Sequence, residues 1–339
     1  MSSTKTNPGY FFEDYHVGQI LNHATPRTLH DGDVAMYQAL YGPRFAMQSA
    51  RTFGAFVALD DLITFHAVFG KTVPDISLNA VANLGYAEGR FLARAQSGDT
   101  IHSVSEVIGL KENSNEKTGI VWVRTHGYAN GDRPVLEYVR WVMVRKRDTS
   151  APAPETVVPD LAKAVEAEDL QVPEGLDWSN YDFAMAGEPH RWGDYEVGEI
   201  IDHVDGVTLT DPEHMMATRL WQNTAKVHFD VTARPDGKRL IYGGHIISMA
   251  RALSFNGLAN AQLIAGINAG AHANPAMAGD TVYAWSEVLD KAETTNPHVG
   301  ALRLRLVATK VNAGELRGED GKYLPDVLLD LDYWVLIPR

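Results

Sequence analysis

Two long apolar stretches dominate the pattern of hydrophobic positions, and segments of strand character follow each of them. The stretches 62–69 and 245–253 have the near-continuous hydrophobicity of a buried helix. Shorter stretches of helical spacing, 33–40 and 213–220, precede them. Strands are predicted, from apolar–polar alternation or β-rich composition, at 121–128, 138–144, 302–308 and 331–337. A long helix followed by several consecutive strands predicts the α+β class, with an antiparallel sheet packed on a helix.

This order of elements occurs twice because the chain repeats itself. Asp14–Ile20 returns 180 positions later as Asp194–Ile200, and Gly98–Val107 returns 181 positions later as Gly279–Val288. The period is far longer than the roughly 20–50 residues of a solenoid unit, so it indicates a duplicated and fused domain. We therefore predict a first copy at 10–147, a linker at 148–191 and a second copy at 192–339. The linker opens with a Pro-containing run, and 161–168 is predicted to be a short surface helix.

Composition limits the partners and the setting of the protein. The apolar fraction of 45% and the charged fraction of 22% are typical of a soluble globular protein. The first residues lack the apolar core of a signal peptide and no cysteine is present, so we expect a cytoplasmic protein without disulfides. The net charge of −13 argues against nucleic acid and anionic membrane as partners. A small anionic ligand would need a local basic patch, for which the candidates are Arg234, Lys238, Arg239 and Arg251.

Gly243 and Gly244 stand where the second long helix is predicted to begin. The first N–H groups of a helix have no intrahelical partner and carry the positive end of the helix dipole. Glycine lets a carbonyl oxygen approach these groups closely, which is the geometry of an oxyanion hole. A tight turn ahead of a helix explains the same pair of residues, and the local sequence leaves both interpretations open.

His228 is the candidate general acid–base, because its ordinary pKa lies near neutrality. At the repeat offset of 180, His228 falls opposite Gln48 and Asn223 falls opposite Pro43, whereas flanking positions such as Leu220 and Leu40 match. The first copy has Asp60-Asp61-Leu62, and no Gly-Gly-His, ahead of its long helix. A structural role shared by both copies would not produce this asymmetry, so we predict one active site, in the second copy.

The second copy resembles the MaoC-like family of R-specific enoyl-CoA hydratases. The motif of that family places an Asp and a His five residues apart in a loop, followed by His-Gly at the start of the central helix. Asn223 and His228 have this spacing, and Gly244 matches the glycine of the oxyanion hole. The resemblance implies a double hotdog fold, with each half an antiparallel sheet wrapped around a central helix. Segments 221–230, 241–258 and 330–334 resemble the branch that hydrates mesaconyl-CoA to β-methylmalyl-CoA.

One departure from the family motif affects the proton transfer. Asn223 stands in place of the motif's Asp, and an amide cannot take or deliver a proton at physiological pH. Either His228 handles the proton alone while Asn223 fixes the water, or a carboxylate such as Asp230 or Asp211 takes over the missing role.

The resemblance also implies an acyl-CoA substrate and no resident metal or other cofactor. The substrate carboxylate would need a cation or several donors, and the predicted binding residues are Arg219, Lys226, Gly243, His245, Arg251 and Arg44. A homodimer or higher homo-oligomer is a further expectation. Three alternatives remain open: a hydratase for straight-chain enoyl-CoAs, a hotdog thioesterase, and an acyl-CoA binder without activity.

Overall fold

The computed structural model describes residues 5–53, 59–312 and 314–339. Its strands are β1 (Ile20–Thr28), β2 (Ala80–Phe91), β3 (Thr100–Glu112), β4 (Thr118–Ala129), β5 (Arg133–Arg145), β6 (Ile200–Thr208), β7 (Leu263–His272), β8 (Thr281–Glu293), β9 (Val299–Thr309) and β10 (Val327–Pro338). They form one sheet in the order β1–β3–β4–β5–β2–β7–β10–β9–β8–β6, and every neighbouring pair is antiparallel.

Helices lie against this sheet and within the loops. They are α1 (Asp31–Tyr41), α2 (Ala46–Ser49), α3 (Asp61–Ile76), α4 (Phe183–Ala186), α5 (Asp211–Leu220), α6 (Gly243–Leu253) and α7 (Phe255–Leu258). The central helices α3 and α6 are buried along nearly their whole length, which agrees with the high apolar content of their sequences. Helix α3 packs on β1, β3 and β5, and α6 packs on β6, β8, β9 and β10. The predicted α+β architecture is confirmed, with one sheet half wrapped around one helix in each copy.

The two halves join through a single strand pair at the centre of the sheet. Strand β2 pairs with β7, and Ala87 lies opposite Ala269 at the middle of this ladder. The halves are joined a second time in the core, where the guanidinium of Arg94 binds the Asp61 carboxylate and the main-chain oxygen of Ile264. A continuous sheet and a shared core therefore hold the end of α3 close to the beginning of α6.

Segment 148–191 is packed against both halves. The main chain of Val157 forms two hydrogen bonds with that of Leu110 on β3, at 2.9 and 2.8 Å. The indole of Trp334 on β10 donates to the Val165 oxygen at 3.0 Å, and Val165 N donates to the Asn268 side chain at 2.8 Å. The surface helix predicted at 161–168 is wrong, since only the single 3₁₀ turn Ala167–Asp169 forms there. The backbone is instead held extended by these contacts. The predicted domain boundaries stay a prediction.

Candidate active site

A cavity of about 370 Å³ lies where the two halves meet, at the beginning of α6. The first copy contributes the last turns of α3 and the first half of β2, and the second copy contributes the loop 223–244 and the end of β7. The lining includes three of the four predicted catalytic residues, Asn223, His228 and Gly244, together with Gly243, which was predicted to bind substrate. The fold thus brings Asn223 and Gly244, which lie 21 positions apart in the chain, to the same cavity.

The N-terminus of α6 is open toward this cavity. Tyr242 is the N-cap residue and gives no side-chain cap to the helix, so the first N–H groups have no partner from that side chain. A Cβ added to Gly244 would lie 2.5 Å from the Tyr242 ring, and one added to Gly243 would lie 2.5 Å from the His272 ring. Both positions therefore require glycine for packing, and both leave main-chain donors accessible beside an apolar wall.

His228 lies in a 3₁₀ turn, Lys226–His228, and is buried beside the cavity. Its Nδ1 lies 2.7 Å from the main-chain oxygen of Leu240. Burial lowers the pKa of His228 to about 4, and the hydrogen bond to Leu240 offsets part of that shift. The imidazole is therefore neutral at pH 7. Because a carbonyl oxygen only accepts, Nδ1 carries the proton, and Nε2 is the basic nitrogen.

Asn223 is buried and uses its oxygen within the loop. The side-chain Oδ1 accepts a hydrogen bond from Ala225 N at 3.0 Å, and Asn223 N donates to the Thr218 oxygen at 3.1 Å. With Oδ1 fixed in this way, the amide nitrogen is the part of the side chain left to donate into the cavity. Asn223 is thus placed to orient an oxygen atom.

The lining also contains polar side chains that the sequence did not single out. His272 lies at the end of β7, with Nε2 3.2 Å from the Tyr86 hydroxyl of the first copy. Burial lowers the pKa of His272 to about 4, so this imidazole is also neutral at pH 7. The Tyr242 hydroxyl lies 3.3 Å from Nδ1 of His66 on α3. Tyr242 adjoins the Gly243-Gly244 pair, whereas His272, Tyr86 and His66 belong to no local motif and come together through the contact between the copies.

The predicted carboxylate substitutes lie outside the cavity. Asp230 is exposed, and its Oδ1 accepts hydrogen bonds from the main chain and side chain of Thr232 at 2.8 and 2.7 Å. These hydrogen bonds lower the pKa of Asp230, whose position at a turn contradicts its predicted catalytic role. Asp211 binds His214 and Arg239 on the outer side of α5. Among the described residues, no carboxylate lines the cavity.

Most of the predicted substrate-binding side chains also lie elsewhere, and Gly243 is the exception. Arg219, Lys226 and Arg44 are exposed and do not line the cavity. His245 is buried behind the helix, with Nδ1 3.2 Å from the Tyr41 hydroxyl. Arg251 is buried in the last turn of α6, where its guanidinium lies over the Phe45 ring at 3.7 Å. His245 and Arg251 thus belong to α6 without lining the cavity at its beginning. Of the basic patch, Arg234 does line the cavity.

The first copy differs from the second at the equivalent position, as expected for the predicted single active site. A cavity of about 280 Å³ there is lined by Pro43, Gln48 and Asp60, among others. Asp60 is the N-cap of α3, and its carboxylate accepts from Leu62 N at 2.7 Å and from the Gln48 amide. A carboxylate of the protein therefore occupies the helix N-terminus at which the second copy offers free donors.

No cluster of three or more His, Cys, Asp or Glu side chains with metal-site geometry occurs within the described ranges. No helix in the same part of the chain is both long and apolar enough to cross a membrane.

Comparison with known proteins agrees with this arrangement. The family model for mesaconyl-CoA hydratase matches residues 2–315. The chain is 66% identical to mesaconyl-CoA hydratase of Cereibacter sphaeroides, over 99% of this chain and 100% of that one. It is 57% identical to β-methylmalyl-CoA dehydratase of Chloroflexus aurantiacus, over 99% of both chains.

Solved structures place the fold in the same group. A MaoC domain protein dehydratase from Chloroflexus aurantiacus superposes with a TM-score of 0.96 at 56% identity, over 99% of both chains. A Mycobacterium tuberculosis protein described as a double hotdog superposes with a TM-score of 0.75 at 23% identity, over 98% of this chain and 99% of that one. The double hotdog fold is thereby confirmed. The chain is a hydro-lyase and belongs to the mesaconyl-CoA hydratase family.

Proposed function

We propose that this chain adds water reversibly to the double bond of mesaconyl-CoA and forms β-methylmalyl-CoA. The observation that carries the proposal is the pairing of a neutral His228, protonated on Nδ1 through Leu240, with the open N-terminus of α6 in one cavity. The names of the two relatives at 66% and 57% identity support the choice of substrate.

The thioester carbonyl would lie against the N–H of Gly244. As water adds to the β-carbon, the electron pair of the double bond moves toward the carbonyl and charge develops on its oxygen. One well-placed donor contributes about 3–4 kcal/mol to a transition state of this kind. A fixed main-chain donor needs no reorganisation during the reaction, so Gly244 would stabilise the enolate more than the substrate.

His228 would move the proton. Nε2 takes a proton from the attacking water, whose oxygen forms the new bond to the β-carbon. The same proton then passes from Nε2 to the α-carbon, which closes the balance with one water added and His228 neutral again. Asn223 would orient that water through its amide nitrogen. Because no carboxylate is found among the described lining residues, this route uses His228 as both base and acid.

The CoA part of the bound thioester would extend out of the cavity past Arg234. This side chain is half-buried in the lining and is held by Asp236, with Nη2 to Oδ2 at 2.7 Å. A cation at the rim suits the phosphates of CoA, which lie far from the acyl group.

A spectrophotometric assay of the conjugated thioester tests the proposal. We expect absorbance to fall with mesaconyl-CoA without release of a free thiol, and to fall more slowly with crotonyl-CoA. His228→Ala should lose at least about 100-fold of the rate, whereas His190→Ala, a change at an exposed histidine, should not. Free CoA release would identify a thioesterase, and near-normal hydration by His228→Ala would refute the role of His228.

Three further properties remain predictions with their own measurements. Hydration should proceed unchanged after exhaustive chelation, because the proposed route uses no metal or other cofactor.

We expect a homodimer or higher homo-oligomer. Light scattering after gel filtration should therefore report a mass above the 37.3 kDa of one chain. Cell fractionation should place the protein in the cytoplasm.

A further inference from the structure

A buried arginine behind the active-site cavity has no carboxylate partner. Arg140, on β5, is fully buried, and no ion pair to it occurs among the described residues. Its Nη1 donates to the Ser77 hydroxyl at 3.0 Å and its Nη2 to the Thr72 hydroxyl at 2.7 Å, while its Nε has no partner. A buried guanidinium without a carboxylate partner is costly, so a further anion at this place would be favourable.

Arg140 lies directly behind the wall that the first copy contributes to the cavity. The Phe69 ring lies 4.4 Å from its guanidinium carbon and also lines the cavity. Tyr86 faces Arg140 across the β2–β5 ladder and is likewise a lining residue. Ser77 touches both the guanidinium and the cavity. The positive charge is thus separated from the cavity by one layer of side chains.

This layer presents unused hydrogen-bond donors to the cavity. Ser77 accepts from Arg140, which leaves its hydroxyl hydrogen free to donate on the other side. Asn83, three residues before Tyr86 on β2, also lines the cavity, where its buried amide lies beside the Tyr86 hydroxyl. An amide group carries two donors, so Asn83 can donate to a ligand in the cavity while it also interacts with Tyr86.

The arginine is specific to the first copy. Val107 pairs with Val123 and Val123 with Arg140 across β3, β4 and β5. In the second copy the same path leads from Val288 through Leu304 to Tyr333. Val107 and Val288 are equivalent in the repeat, so Arg140 stands where the second copy has a tyrosine. Of these two equivalent positions, only the one in the first copy places a buried cation beside the active-site cavity.

We propose that Ser77, Asn83 and Arg140 form the subsite for a carboxylate on the β-carbon of the acyl group. This inference rests on the proposed function, because mesaconyl-CoA carries such a carboxylate. Ser77 and Asn83 donate to the carboxylate directly, and Arg140 acts through Ser77 and by its charge, as a positioning residue. The first copy thereby selects acyl-CoA thioesters of dicarboxylic acids over those of simple enoic acids.

Arg140 also lies at the end of α3, where a cation stabilises the partial negative charge of a helix C-terminus. A purely structural arginine would affect all substrates alike. A pair of substrates that differ only in the carboxylate separates the two roles. Tigloyl-CoA has the carbon skeleton and double-bond geometry of mesaconyl-CoA, with a methyl group in place of the carboxylate.

The experiment compares kcat/KM for these two thioesters. Arg140→Met should lower kcat/KM for mesaconyl-CoA about 100-fold and kcat/KM for tigloyl-CoA less than about 3-fold. Ser77→Ala should lower kcat/KM for mesaconyl-CoA about 10-fold. Arg234→Met is the matched control, since it removes the arginine at the rim and should affect both thioesters equally. Equal losses on both thioesters in Arg140→Met or Ser77→Ala would overturn the proposal.

A binding measurement keeps the inference separate from the proposed reaction. Calorimetry with succinyl-CoA and butyryl-CoA compares a β-carboxylate with a methyl group without any turnover. The wild-type protein should bind succinyl-CoA at least about 10-fold more tightly, and Ser77→Ala and Arg140→Lys should reduce that preference. Without this preference in the wild type the subsite is wrong, whatever the hydration assay shows. If the wild-type protein shows this preference but does not hydrate mesaconyl-CoA, the subsite is supported and only the proposed reaction is wrong.

Discussion

The Nδ1 atom of His228 donates a hydrogen bond to the main-chain oxygen of Leu240 over 2.7 Å. This contact fixes the tautomer, because the acceptor has no proton to give. It also fixes the orientation of the ring, so that the basic Nε2 belongs to the cavity side of the residue. A loop that returns to the histidine 12 residues later thus performs the orienting role that many active sites assign to a carboxylate.

The pH profile of kcat/KM should reflect the lowered pKa of His228. Burial lowers this pKa to about 4, so the imidazole is neutral, and active as a base, at every pH well above 4. We expect a plateau from about pH 5.5 to 8 and a decline only as the pH falls toward 4. An unburied histidine would begin to lose activity near pH 6.5. A half-maximal point near 6.5 in stability-corrected initial rates would contradict the assignment.

Restoring the family carboxylate should move this profile. In Asn223→Asp the new Oδ1 can still accept from Ala225 N, so the loop should fold unchanged. A negative charge in the same cavity favours protonated His228 and raises its pKa, by about 1 unit or more. The acid limb should therefore shift toward neutral pH, as measured by initial rates across a pH series. Asn223→Ala, which adds no charge, should lower kcat without moving the limb.

Gly244 should tolerate no side chain. Its added Cβ would lie 2.5 Å from the Tyr242 ring, so Gly244→Ala must displace the ring or the first turn of α6. We expect kcat to fall about 100-fold as the main-chain donor moves. Gly32→Ala is the matched control, because no atom lies within 4 Å of its added Cβ. That variant should retain full activity and unfold at the same denaturant concentration or a slightly higher one.

Asp60→Asn should stabilise the protein at alkaline pH without affecting hydration. Burial, and then the nearby Asp61, raise the pKa of Asp60 to about 7. Because the pKa of Asp60 is higher in the folded than in the unfolded chain, its protonated form stabilises the fold at a pH below the unfolded pKa. This contribution to stability is lost as the pH rises through 7. From pH 6 to pH 8 the free energy of unfolding of the variant should therefore rise by on the order of 1 kcal/mol relative to that of the wild type. Urea unfolding at both pH values measures this, with the exposed Asp31→Asn as control.

Pattern and repetition in the sequence determined the element types and the double arrangement. Apolar runs long enough for buried helices predicted α3 and α6, and alternation or β-rich composition predicted β4, β5, β9 and β10, because these signals are local consequences of burial. The other six described strands were not predicted. The sequence also predicted that Asn223, His228 and Gly244 act together, since their spacing matches a known motif and their equivalents in the first copy differ. The predicted helix at 161–168 failed because long-range hydrogen bonds from β3, β7 and β10 outweigh local propensity there.

Only the tertiary structure decided which other residues reach the cavity. Arg219 and Lys226 lie close to the motif in sequence but are exposed, whereas the lining residues His272 and Tyr86 come from strands of both halves, and Arg140 lies one layer behind the lining. The register of the β2–β7 pair determines which side chains of the two halves lie next to each other at the cavity. Register depends on contacts between distant segments, which no local sequence pattern records. The sequence alone thus predicted the loop of His228 and the helix terminus at Gly244, while packing between the two copies decided which side chains surround them in the cavity.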